Sequence, residues 1–236
     1  MDDFPDANIH QRLADLASVG DFAGVALLLA LVAKPCSKQH RSAGHALVLA
    51  ASNGHAKCVE LLIPATNPKA DSSSALREAA ASGHSECVKL LIPVSDPKAG
   101  CSIALRETAA SGHAECVELL IPVSDPKVEN SMPLRWAIAN DQAECARLLA
   151  PVSIMDHAVV SSVLRRGNAK ILSLMIANEP LFLAGADFPR ILGDAIDRGC
   201  SELAALLATI IEQEAIAGHL SKNTNKTPFP RGPLRL

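Results

Sequence analysis

The chain reads as an all-α solenoid of helix-turn-helix repeats, and three observations lead there. Marker residues recur at a fixed step of 29: glycine at 54, 83 and 112, cysteine at 58, 87, 116 and 145, proline at 64, 93, 122 and 151. A period of this size marks stacked supersecondary units rather than one globular core. Within each unit the apolar residues fall at helical spacing. The composition, 49% apolar with one tryptophan and no tyrosine in 236 residues, suits a core of closely packed alanine and leucine helices.

The clearest unit runs from Ser74 to Ala99. Leu76, Ala79, Ala80 and Gly83 stand at i, i+3, i+4 and i+7, one face of a helix that Ser74 is placed to cap and Gly83-His84 to end. A second apolar run follows, Cys87, Val88, Leu90, Leu91 and Ile92, with Glu86 and Lys89 together on its polar side. Pro93 stops it, having no amide hydrogen to donate, and Ser95-Asp96-Pro97 reads as a turn.

Upstream, an acidic lead over 1–8 precedes a first pair at 9–33, with Leu13, Leu16, Ala17 and Gly20 as its face and an apolar partner from Val25 to Val32 too short to span a bilayer. Residues 34–45 read as a polar connection. Further units follow at 43–64, 72–93, 101–122 and 130–150, the last with Asp141 in the glycine's place. Beyond Pro151 the spelling decays but the spacing persists. Val160, Val163, Leu164 and Gly167 open a unit at 156–177, and Leu192, Ala195, Ile196 and Gly199 open another at 187–214. The repeat domain thus spans 9–218 in seven units with divergent ends. Residues 219–236, with Lys222, Lys226, Arg231 and Arg235, no acid and three prolines, read as a flexible basic tail.

These residues resemble ankyrin repeats. The family's T-P-L-H-x-A-A, G-H and terminal Leu-Leu pattern stands here as Ser74-Ala75-Leu76-Arg77, Ala79-Ala80, Gly83-His84 and Val88-Lys89-Leu90-Leu91, and Met132-Pro133-Leu134-Arg135 comes closer still to the first segment. Two departures carry consequences. The period is 29 rather than about 33, so the family's β-hairpin fingers should be short or absent. Arg77, Arg106 and Arg135 replace its first histidine, so the hydrogen bonds that brace its loops must be made differently.

The remaining signals are structural rather than catalytic. The four periodic cysteines lie on the apolar side of the second helix, as buried small hydrophobes in a reducing cytosol. His55, His84 and His113 follow the repeat glycine and should cap or brace its turn. There is no Cys-x-x-Cys pair, phosphate loop, His-Glu-x-x-His or nucleophile elbow, so the chain is expected to be a non-enzyme without cofactor or metal. The arginine ladder and a lysine ladder (Lys69, Lys98, Lys127) are neutralised by Glu78, Glu107, Asp96 and Asp125. With a net charge of −3 this argues against nucleic acid as a partner. With no signal peptide or membrane span in view, a cytoplasmic monomer is expected.

The resemblance implies protein–protein recognition through the concave face built by the first helices. The residues expected there are Glu78 and Ser82, Glu107 and Ser111, and Trp136 and Asn140, bordered by the loop residues Ser73, Ser102 and Ser131. Trp136 replaces a glutamate, either as a binding anchor or as filler against the divergent next unit. Resemblance to ankyrin effectors of host-associated bacteria implies a bacterial effector acting on host proteins. The alternative is a regulatory or inhibitory subunit of a bacterial cytoplasmic enzyme or toxin.

Overall fold

The computed structural model describes residues 6–31, 37–154, 159, 162–163, 169–178, 188–197 and 199–224, and divides into two compact units, residues 1–166 and 167–236. In the first, five helix pairs follow one another: α1 (Asp6–Val19) with α2 (Phe22–Leu31), α3 (Ser37–Ser52) with α4 (Ala56–Leu62), α5 (Ala70–Ala81) with α6 (Ser85–Leu91), α7 (Ala99–Ser111) with α8 (Ala114–Leu120), and α9 (Val128–Ala139) with α10 (Ala143–Leu149). The second unit contains α11 (Ala169–Asn178), α12 (Phe188–Asp197) and α13 (Ser201–Thr224), with α13 packed on the other two. No strand occurs among the described residues.

In the first unit α1, α3, α5, α7 and α9 pack in succession as one layer, and α2, α4, α6, α8 and α10 as a second. The apolar positions face inward between layers and between repeats. Leu47, Leu76, Leu105 and Leu134 on the first helices are fully buried, as are Leu62, Leu91, Leu120 and Leu149 on the second. A pair of short helices cannot enclose such a stripe alone, so each repeat completes its neighbour's core. Every second helix is seven residues long from α4 to α10, and three of the four are followed by a 3₁₀ turn holding the repeat proline: Ile63–Ala65, Ile92–Val94 and Ala150–Val152.

Several boundaries differ from expectation. α1 begins at Asp6, inside the expected acidic lead, and α3 begins at Ser37, so the second repeat opens with helix where a polar connection was read. α13 continues to Thr224, which puts the expected tail boundary at 218 inside a helix; residues 225–236 lie outside the described ones. In the expected face at 156–177, Val163 is buried, whereas Val160, Leu164 and Gly167 lie outside the described residues. Of the last face, Ala195 is buried but Ile196 is 61% exposed.

The largest departure lies where a longer repeat would carry its hairpin. α7 and α9 open with three residues in left-handed conformation, Gly100-Cys101-Ser102 and Glu129-Asn130-Ser131, before the right-handed helix begins; α5 has Asp71 and Ser73 in the same region. Left-handed backbone costs an L-residue roughly 1–2 kcal/mol. Glycine, asparagine and aspartate bear it most readily, and each turn includes one of them. The turns are closed by the Ser102 N–H donating to the Lys98 carbonyl and the Ser131 N–H to the Lys127 carbonyl, both at 3.2 Å.

The last serine of each turn then ties the start of its first helix to the loop that leaves the same helix pair. The Asp96 N–H donates to the Ser73 Oγ at 2.8 Å, the Asp125 N–H to the Ser102 Oγ at 3.0 Å, and the Ile154 N–H to the Ser131 Oγ. These bonds brace the loops of repeats in which Arg77, Arg106 and Arg135 stand at the family's histidine position. Ser73 rather than Ser74 is therefore the serine whose hydroxyl is used, and it serves the loop leading out of its repeat instead of capping its own helix. Ser102→Ala should cost about 1–2 kcal/mol, the net worth of a partly buried hydrogen bond whose donor loses its acceptor. Faster amide exchange at Asp125 would locate the loss, and an unchanged exchange rate would contradict the brace.

Candidate protein-binding strip

The outward side of the first helices carries the residues that a partner would meet. Ser82, Ser111 and Asn140 are exposed at the helix ends, and Glu78 and Glu107 are half-buried. Between them, one turn along, lie Ala81, Ala110 and Ala139, so the surface is a low, small-residue strip. Trp136 is 46% exposed on it, the largest apolar side chain that the strip presents to solvent. The Asn140 Nδ2 donates to the Trp136 carbonyl at 2.9 Å and fixes the end of α9.

Ser73, Ser102 and Ser131 do not border this strip as expected. All three are buried, with their hydroxyls engaged in the loop-bracing bonds above, and they offer nothing to a partner. In the sequence alone they read as solvated polar groups of a loop. The available signal was their identity across three copies while their flanks vary: Asp, Gly and Glu two positions before, Ser, Cys and Asn one before, Ser, Ile and Met one after.

The charged ladders behave unequally. Arg77 is held by Glu78 at 2.8 Å and by Glu107 at 3.5 Å, and these carboxylates raise its already high pKa further. Asp96 and Asp125 instead accept hydrogen bonds from the backbone N–H groups of Lys98 and Lys127, at 3.1 and 3.0 Å. They serve the turn, which corrects the expectation that they neutralise the lysine side chains.

The histidines brace the stack rather than capping their own helices. The ring Nε2 of His55 meets the Ser18 carbonyl at 2.9 Å, and that of His84 meets the Ser52 carbonyl at 2.9 Å, each reaching back to the preceding first helix. Their rings also lie over the preceding repeat's glycine, at Gly20 and Gly54. In the fifth repeat Gln142 takes the histidine's place and its amide lies against Gly112.

Cys58, Cys87, Cys116 and Cys145 are buried free thiols. Desolvation, helped by the neighbouring glutamates, pushes Cys87, Cys116 and Cys145 up to about 11. They are neutral at physiological pH and unsuited to nucleophilic or metal chemistry. Among the described residues no group of three or more His, Cys, Asp or Glu is placed to hold a metal ion, and no helix is long and apolar enough to cross a membrane. Because the folded thiols bind protons more tightly than unfolded ones, the fold should keep their contribution below about pH 9 and lose it as pH rises through 11. At neutral pH a maleimide should label exposed Cys101 quickly and these three only on unfolding; rapid labelling of Cys116 in the folded chain would refute their burial.

Residues 13–104 match the family model described as ankyrin repeats, in 3 copies. Among solved structures, the chain is similar to the crystal structure of the human ASB11 ankyrin repeat domain, with a TM-score of 0.58 and 20% identity over 71% of this chain and 83% of that one. At that identity the likeness is one of fold. No curated protein matches the sequence. Residues 13–104 carry ankyrin repeats by the family model, and the helix-pair stacking and the structural likeness give the chain an ankyrin-like, all-helical solenoid fold without strands among its described residues.

Proposed function

We propose that the chain is a non-catalytic recognition module that binds a protein partner across the outward strip of α3, α5, α7 and α9. Ankyrin repeats are generally protein–protein interaction modules, and the observation that carries the reading here is Trp136. A large aromatic side chain half open to solvent, on an otherwise low surface, is the type of group that dominates binding energy at interfaces. Glu78, Glu107, Ser82, Ser111 and Asn140 form the polar surround. Such a module suits a bacterial effector acting on host proteins; a regulatory or inhibitory subunit of a bacterial enzyme or toxin is the other setting, and the partner's identity decides between them.

The test is affinity capture with mass spectrometry, comparing the wild type with a Trp136→Ala, Glu107→Arg variant shown by circular dichroism to be folded. A partner held by the wild type and lost by the variant supports the strip. Partners retained equally by both move the search to the second-helix layer.

A further inference from the structure

Trp136 occupies a column that the two preceding repeats fill with glutamate, and the arginines beside it show what that glutamate does. Arg77 is held by two carboxylates, Glu78 next in sequence and Glu107 one repeat on. The residue that stands to Arg106 as Glu107 stands to Arg77 is Trp136. The residue that stands to Arg135 as Glu78 stands to Arg77 is also Trp136. One replacement therefore withdraws a carboxylate from two guanidinium groups. Among the described residues the one ion pair of Arg106 is with Glu129 at 3.9 Å, beyond hydrogen-bonding distance. Arg135 forms no ion pair among the described residues; its buried Nε–H, like that of Arg77, has no hydrogen-bond acceptor, but Arg77 has two carboxylates beside it and Arg135 has none paired to it. Arginine cannot escape by losing its proton.

We propose that this surface docks an acidic segment of the protein partner, with an apolar side chain covering the Trp136 indole and flanking carboxylates pairing with Arg106 and Arg135. The inference rests on the strip being the binding surface and adds the chemistry of what it binds. Bidentate pairing to carboxylate is what a guanidinium fork is shaped for. The two arginines belong to adjacent repeats, whose helices lie roughly 10 Å apart, a distance spanned by about three extended residues. The matching segment therefore places two acids about three positions apart around an apolar residue. A single-stranded nucleic acid could also stack on an indole, but its backbone, followed along the strip, would run onto the Glu107 and Glu78 carboxylates.

The experiment selects a displayed random dodecapeptide library on the intact chain and titrates the enriched peptides, carrying a fluorescein label, by anisotropy; in chains that keep Trp136, the single tryptophan, its emission is followed as well. Enriched peptides should carry the acid–apolar–acid pattern, shift the indole emission to the blue, and weaken with added salt. Arg106→Gln and Arg135→Gln should each weaken them about tenfold, the range of an interfacial hot spot, while Arg147→Gln on α10 should leave them unchanged. Trp136→Glu restores the carboxylate of the earlier repeats, so it should raise thermal stability and abolish binding. That combination separates lost recognition from lost fold. Enrichment of neutral or basic peptides, indifference to both arginine variants, displacement by oligothymidylate, or no enrichment at all overturns the proposal. Neutral peptides lost on Trp136→Ala would leave the strip standing without the acidic chemistry; binders indifferent to Trp136→Ala and to Ser111→Arg would remove the strip as well.

Discussion

Gly83→Ala is expected to destabilise the first unit by about 3 kcal/mol, the sum of two effects at one site. Gly83 has φ +82°, where a side chain costs roughly 1–2 kcal/mol. A Cβ there would also lie 2.6 Å from the Nδ1 of His113 and 2.8 Å from its Cε1, so the ring resting on this glycine has to move. Displacing it disturbs the contact between two repeats, worth about 1 kcal/mol more if a hydrogen bond goes with it. The two parts separate in a double-mutant cycle. His113→Ala in the Gly83→Ala background should recover the clash and leave the backbone cost. Gly193→Ala is the contrast, since nothing lies within 4 Å of a Cβ at that position in α12 and the change should be neutral or stabilising by about 0.5–1 kcal/mol. Equal losses at Gly83 and Gly193 in urea titrations would refute the account.

Leu105→Ala should cost about 2–5 kcal/mol, the range for emptying a fully buried leucine site. Leu105 is wholly buried on α7, which packs between α5 and α9, so the cavity opens on both sides of a repeat. In a stack stabilised by nearest-neighbour interfaces, such a central loss weakens two interfaces at once. The denaturation curve should therefore broaden as well as shift. A loss under about 1 kcal/mol would mean that neighbouring repeats close over the space.

The helix pairs were legible because burial imposes a periodicity on the sequence. Leu76, Ala79 and Ala80 had to lie on one face, and the buried Cys87, Val88 and Leu91 on another. The left-handed turns were not legible. Their residues, such as Gly100-Cys101-Ser102 and Glu129-Asn130-Ser131, share a backbone geometry rather than a side-chain type, and two thirds of them are residues that ordinarily avoid it. The serine braces were hidden for a related reason. A hydroxyl in a loop reads as solvated unless the fold is known to bring an amide 23 positions ahead to it. The long start of α3 was missed because Lys38, Gln39, His40 and Arg41 show no apolar periodicity. At the strip, Trp136 stood out as an exception in its column, but its effect on Arg106 and Arg135 needed the Arg77 ion pairs as a template.

The serine braces have a consequence for the length of the molecule. Each joins a residue to one 23 positions ahead, at Ser73 to Asp96, Ser102 to Asp125 and Ser131 to Ile154. Excising residues 74–102, one period of 29, would place Ser73 directly before Ile103 and so hand it the Asp125 amide that Ser102 held. The shortened chain would keep every contact type in register, whereas removing 28 or 30 residues would turn the rest of the joined helix by about 100° against its neighbours. Gene duplication or loss can therefore lengthen or shorten this protein only in whole repeats, and the Trp136 surface would move along the stack as an intact cassette.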